Sequence, residues 1–352
     1  MSDMPTTAKA AILVEQNKDL VIGEITLPKT LDIGQVLVKI RYSGICGSQL
    51  GEIDGVKGPD PWLPHLLGHE GSGHAVAVGP GVKHVKPGDA VVLHWRPSKG
   101  IEATPAKYSW NGKVVNAGWV TTFNDHAVIA ENRLTAIPAG TDLKAAALYG
   151  CAVTTGFGVI DNRAKIKLGE SVVVFGAGGI GLNIVQGAAL AGARTIVAVD
   201  RYANRLELAR HCGATETIDG SKTDPWERLK ELLPNNSLDV FIDNTGSPGV
   251  IGRGYEFISG KGRVILVGVP KKGDKTELYT LPMHFGKSMT GTTGGEAIPH
   301  EDIPRYMALT ASRGIDLNDL ITEIAPLTGI NDLIQKMRNG TSAGRCLVDL
   351  AS

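Results

Sequence analysis

The stretch VVVFGAGGIG, residues 172 to 181, constrains this chain more than any other part of it. An apolar, β-rich run leads into Gly176, Gly178 and Gly181, an apolar helical pattern follows, and Asp200 ends the next apolar run 19 residues after Gly181. Gly176 permits a tight turn, Gly178 leaves room for a pyrophosphate to approach the backbone, and Gly181 lets helix and strand pack closely. Gly179 and Ile180 complete the loop, and the helix N-terminus adds free N–H groups and a positive dipole end. A merely glycine-rich turn would need neither the flanking elements nor the acid, so the arrangement predicts a dinucleotide-binding strand, turn and helix. Asp200 is expected to accept hydrogen bonds from adenosine ribose hydroxyls and to repel a 2′-phosphate, which favours NAD. Arg201, directly after it, could pair with such a phosphate and leaves NADP use open.

This motif opens a longer alternation. From about residue 153 to 285 the runs SVVVF, LNIVQGAALAG, TIVAVD, ANRLELARHCG, WERLKELL, LDVFIDN and GRVILVGV alternate strand-like and helix-like patterns. Parallel strands need crossover connections, so a doubly wound parallel sheet with helices on both faces is expected. Up to about residue 150 the texture differs: short β-rich runs such as QVLVKIRYSGI, GSGHAVAVG and DAVVLHW are separated by turn clusters. The last apolar run, RCLVDL, is read as returning to that first domain. A chain of 352 residues with 42% hydrophobic side chains suits two domains. The expected division is a β-rich domain from 1–152 and 288–352, and an α/β domain from 153–287.

The balance of charge excludes some classes of function. Lys and Arg together number 36, as do Asp and Glu, so no net field draws the protein onto nucleic acid or an anionic membrane. A small-molecule partner is expected instead. The first residues lack the basic and apolar regions of a secretory leader, and no apolar run approaches the roughly 20 residues that span a bilayer. The four cysteines, Cys46, Cys151, Cys212 and Cys346, are too scattered for a disulfide scaffold, which suits a cytoplasmic, reducing location.

Those cysteines carry the second motif. Cys46 lies in YSGICGSQLGEIDG, His69 and Glu70 open GHEGSGHAVAVGPGV, and Cys151 lies in YGCAVTTGFG. Free cysteines are often core residues, and burial alone would account for a thiol. Glycine-flanked turns at Cys46 and Cys151, the GHE run with its glycine spacing, GAGGIG, and a closing GR at Arg345 together resemble the zinc-dependent medium-chain alcohol dehydrogenases over essentially the whole chain. The resemblance implies a GroES-like catalytic domain at both chain ends with a Rossmann domain between them. It further implies that Cys46, His69 and Cys151 hold one catalytic zinc. Two thiolates, an imidazole and an open fourth position agree with a catalytic rather than structural zinc.

By the same resemblance, Ser48 hydrogen-bonds the substrate oxygen and starts a proton relay. Thr155 and Ile180 pack around the nicotinamide, the alternative for Ile180 being plain core packing; Arg205 and Val269 are further cofactor-binding candidates, and Arg345 contacts the pyrophosphate. Trp95 lines the substrate pocket or packs within its lobe. Glu70 is expected to support the metal site from behind, the alternative being that it replaces Cys151 as a ligand.

Three departures from the family pattern matter. Gly51 stands where many relatives have a relay histidine, so the proton must leave by water or another group. Gln49 stands where many have an aspartate behind the ligating histidine; its carbonyl is expected to accept that ring N–H. The segment from His94 to Trp119 has no cysteine, so no structural zinc is expected there, and packing through Trp95, Trp110 and Trp119 would have to hold it. The expected activity is NAD-dependent interconversion of an alcohol, primary or aromatic, with its aldehyde or ketone, in a homodimer or homotetramer. The alternatives are a polyol or sugar-alcohol dehydrogenase, a zinc-free reductase of the same superfamily, or a nucleotide-binding structural protein whose catalysis has lapsed.

Overall fold

The computed structural model describes residues 4–351, which divide into two compact units. One comprises the chain up to Ala152 and again from Ile298; the other is Val153–Ala297. The second unit therefore extends past residue 287, because Ser288–Gly291 pairs in parallel with Ile258–Leu266 and lengthens its sheet.

The second unit is a six-stranded parallel sheet in the order Glu216–Asp219, Thr195–Asp200, Ser171–Phe175, Leu238–Asp243, Ile258–Leu266, Ser288–Gly291. Strands covered on both faces lose the polar alternation of a half-exposed sheet, and Ser171–Phe175 is buried at every position. The chain builds outward from this central strand to one edge and then resumes on its other side. That reversal opens a crevice at the carboxyl ends of the strands, the usual ligand position of such sheets. One face is packed by Phe175 and Trp226, with ring centroids 5.0 Å apart, and by Phe241, 5.9 Å from Trp226. Trp226 is delivered by the helix Pro225–Leu232, which starts with Pro at its first position and with the Asp224 carboxylate accepting the Trp226 N–H at 2.9 Å.

The first unit is built on Gln35–Ile45, an 11-residue strand that pairs antiparallel with Glu70–Val78, His126–Ala130 and Arg345–Asp349. Its far end therefore lies beside the start of one partner and the start of another, which brings Cys46, Glu70 and Arg345 into one neighbourhood. A second sheet runs His65–Leu66, Thr7–Leu13, Val21–Thr26, Tyr108–Trp110, Lys113–Val115. The last two strands form a hairpin inside the cysteine-free segment. The hairpin is anchored by Tyr108, whose buried hydroxyl accepts the Val128 N–H at 2.9 Å. Of the three tryptophans expected to pack this segment, Trp110 is half-buried against the apolar cluster that holds Tyr108 and Val115, Trp95 is half-buried, and Trp119 is 57% exposed. No single helix among the described residues is long and apolar enough to cross a membrane.

Candidate active site

Cys46 lies between the strand Gln35–Ile45 and the short helix Gly47–Ile53; His69 precedes the strand Glu70–Val78; Cys151 precedes the helix Ala152–Gly158. Three element ends thus converge, and one donor atom from each of Cys46, His69 and Cys151 lies within 4.8 Å of the others. Both thiols are buried, and His69 Nε2 is buried with no hydrogen-bond partner among the described residues. An orphaned imidazole nitrogen beside two thiols is costly without a ligand to satisfy it, and this donor set suits zinc. The thiols share their protons unequally. A hydrogen bond from Cys151 holds Cys46 well below the ordinary thiol range, outweighing burial, with Arg345 and His69 assisting. The same hydrogen bond, with burial behind it, pushes Cys151 well above it.

Behind the thiols lies a buried ion pair. Glu70 is 0% and Arg345 4% exposed; Glu70 Oε1 accepts the Ala152 N–H at 3.0 Å while Oε2 pairs with the Arg345 guanidinium. Burial pushes the Glu70 carboxyl up, against Arg345 and the Ala152 N–H. Burial also opposes the Arg345 charge, yet Glu70, Cys46 and Cys151 hold the guanidinium firmly protonated. With both carboxylate oxygens engaged, Glu70 faces its protein partners, and Arg345 is seated against Glu70 within the first unit.

Gln49, 1% exposed, departs from expectation. Its Oε1 accepts the Cys46 N–H at 2.9 Å, so the amide nitrogen, not the carbonyl, is what meets His69 Nδ1. Only one of the two arms of an amide can accept, and the helix start has claimed it. Ser48 Oγ is buried and has no hydrogen-bond partner among the described residues. A Cβ on Gly51 would meet only Val56, at 3.9 Å, so that position is open. The Trp95 ring centroid lies 6.4 Å from that of His69.

In the second unit the glycine loop matches its expected parts. Gly176 has φ +94°, a Cβ on Gly181 would stand 1.9 Å from the Gly176 carbonyl oxygen, and a Cβ on Gly178 would meet nothing within 4 Å. The helix Gly179–Leu190 follows, with Ile180 half-buried in its first turn. Asp200 ends its strand but is turned inward: Oδ2 accepts the Ala177 N–H at 2.8 Å, and Oδ1 accepts those of Arg201 at 2.7 Å and Tyr202 at 3.1 Å. Arg205 Nη1 lies 3.8 Å from Oδ2, and its guanidinium stands 4.7 Å over the Tyr202 ring. Thr155 is buried and Val269 is 68% exposed, each within the second unit. Sequence reasoning passed over Asp243 and Asn244. Asp243, fully buried, accepts from the N–H groups of Thr245 and Gly246, while Asn244 Nδ2 donates to the Gly176 carbonyl at 3.2 Å. The signal was the DNTG run at the end of the LDVFID strand, an acid followed by turn residues.

Residues 32–139 match the family model of the alcohol dehydrogenase GroES-like domain, and residues 179–312 that of the zinc-binding dehydrogenases. The chain is 31% identical to an S-(hydroxymethyl)glutathione dehydrogenase of Escherichia coli O1:K1, over 95% of this chain and 98% of the relative. It is 29% identical to a probable S-(hydroxymethyl)glutathione dehydrogenase 1 of Schizosaccharomyces pombe, over 98% and 97%. Among solved structures it is similar to benzyl alcohol dehydrogenase from Acinetobacter calcoaceticus, with TM-score 0.87, 26% identity and coverage of 98% and 99%. Whole-length identity at this level, the two domain matches and the converging thiols and imidazole lead to one conclusion: the chain belongs to the zinc-dependent medium-chain dehydrogenase/reductase family and is an NAD-dependent oxidoreductase acting on CH–OH groups.

Proposed function

We propose that this enzyme oxidises a primary alcohol carrying a planar or apolar group, reversibly, with one zinc per chain, no structural zinc, and NAD preferred to NADP. The observation that carries the reading is the Trp95 ring beside His69, together with the buried, unpartnered Ser48 hydroxyl one helical position from the Cys46 turn. The named relatives act on a hydroxymethyl conjugate and on benzyl alcohol, both primary alcohols, which supports the same class.

Cys46, Cys151 and His69 would hold the zinc, which supplies Lewis-acid polarisation of a bound alcohol oxygen. NAD supplies the hydride acceptor. The protein's own part is to place and to unload. Ser48 Oγ would accept the substrate hydroxyl proton and pass it outward, and with Gly51 in place of a histidine no imidazole takes it onward, so that it leaves to water. Arg345 balances Glu70 and the two thiolates, so that the metal position does not carry a surplus of negative charge. Gly178 would admit the pyrophosphate to the helix N-terminus. Asp200 keeps a negative charge at the strand end, which disfavours a 2′-phosphate even with Arg201 and Arg205 alongside. The partner is a small molecule, and the assembly is a homodimer or homotetramer.

The test is a turnover comparison. Benzyl alcohol with NAD should give a higher kcat/KM than sorbitol with NAD or benzyl alcohol with NADP, and native mass spectrometry should find one zinc per chain. Ser48→Ala should lower single-turnover hydride transfer by about 100-fold while zinc content stays the same. Preferred turnover of sorbitol would assign the enzyme to polyols, and full hydride transfer in Ser48→Ala would remove Ser48 from the relay.

A further inference from the structure

Between the strands His126–Ala130 and Leu134–Ile137 lies a single 3-10 turn, Glu131-Asn132-Arg133, whose members are 1%, 5% and 5% exposed. Charged side chains are almost never so buried unless paired, and every member of this turn holds the cysteine-free segment. Glu131 Oε2 accepts the Ile101 N–H at 2.8 Å, while its Oε1 accepts those of Lys83 and His84 at 2.6 and 2.7 Å. The Asn132 carbonyl accepts the Ser98 N–H at 2.7 Å, and Asn132 Nδ2 donates to Glu102 Oε2 at 2.8 Å. Arg133 does most. Its Nη2 donates to both Glu102 oxygens at 2.9 and 3.0 Å, its Nη1 donates to the Trp95 carbonyl, and its guanidinium lies 5.0 Å from the centre of the Trp119 ring.

We propose that Arg133 is a positioning residue for the substrate pocket, fixing the backbone at Trp95 and thereby the indole that stands against His69. The proposal rests on Trp95 being a pocket wall, as in the function proposed above. A guanidinium offers a rigid planar fork that can serve a carboxylate, a carbonyl and an aromatic face at once, which an ammonium cannot. Glu102, 44% exposed on its side chain, is the outer arm of the same clamp. Removing the guanidinium leaves the Trp95 carbonyl without this donor and Glu102 with Asn132 Nδ2 alone, and the segment is free to take the indole away from the histidine ring.

The experiment compares kcat/KM for benzyl alcohol and for ethanol, with NAD and the zinc-loaded enzyme. Arg133→Ala and Arg133→Lys should each lower the benzyl-to-ethanol ratio by about 10-fold, through a raised KM for benzyl alcohol, with zinc content unchanged. Trp95→Ala should give a loss of the same kind, and the double variant Arg133→Ala with Trp95→Ala should lose no more than Trp95→Ala alone, because the two act as one unit. Glu102→Gln should shift the ratio the same way by a smaller factor, and it decides the question if Arg133→Ala does not fold. A wild-type ratio in both Arg133→Lys and Glu102→Gln, or additive losses in the double variant, would overturn the proposal and leave the Trp95 wall standing. An unchanged ratio in Trp95→Ala, or no benzyl alcohol turnover in the wild type, would remove the wall and the proposal together.

Discussion

Among single residues, Gln49 has the clearest consequence. A histidine that binds a metal through Nε2 must carry its proton on Nδ1, and that N–H needs an acceptor. Gln49 spends its carbonyl on the Cys46 N–H at 2.9 Å and turns its own amide donor toward Nδ1. Two donors then face each other in the metal-loaded state, or the amide flips and the Cys46 N–H goes unpaired. Gln49→Glu offers an acceptor on each arm. Zinc affinity measured by chelator competition should rise by about 10-fold in that variant; equal or weaker affinity would show that the amide already satisfies the histidine.

At the scale of elements, the strand, turn and helix from Ser171 to Leu190 separate two uses of glycine. Gly181 is required by packing, because any Cβ there would sit 1.9 Å from the Gly176 carbonyl, whereas Gly178 has open space before it. Gly181→Ala should therefore cost about 2–3 kcal/mol of unfolding free energy in denaturant titrations. Gly178→Ala should leave stability within about 0.5 kcal/mol yet weaken NADH binding, read by fluorescence titration, by about 10-fold as the methyl meets the pyrophosphate. The reverse pattern, a stable Gly181→Ala or an unaltered Kd for Gly178→Ala, would contradict these assignments. The Glu131-Asn132-Arg133 turn shows the opposite case, an element whose side chains rather than backbone space do the fastening.

For the molecule as a whole, the response to acid should be concentrated in a few buried groups. His94 is 1% exposed, donates from Nδ1 to the Arg96 carbonyl at 2.8 Å and accepts from the Thr135 hydroxyl at 2.9 Å. Burial lowers it to about 4 from an ordinary value of 6.5. Above pH 6.5 it is neutral folded or unfolded and contributes no pH dependence. Between pH 6.5 and 4 the unfolded chain takes up a proton that the folded one refuses, so stability falls as pH falls, by about 3 kcal/mol over that window. His94→Gln, which keeps a donor and an acceptor, should flatten the unfolding free energy between pH 7 and 4 by that amount. A variant whose curve parallels the wild type would place the acid sensitivity elsewhere.

Much was determined by the sequence alone, wherever function depends on a backbone constraint or on a rare residue type at a fixed spacing. The glycine loop is legible because only glycine tolerates φ +94° at Gly176 and the close approach at Gly181. The thiols and His69 are legible because few side chains bind zinc. Tertiary structure decided what depends on which partner reaches a polar atom first. It assigned the Gln49 carbonyl to Cys46, turned Asp200 inward onto Ala177, and locked Glu70 between Ala152 and Arg345. It also tied the cysteine-free segment down through Arg133, whose partners lie 31 and 38 residues away in the chain. Hydrogen bonds of that kind leave no period and no motif, because their geometry exists only once separate strands have brought the atoms within about 3 Å of one another.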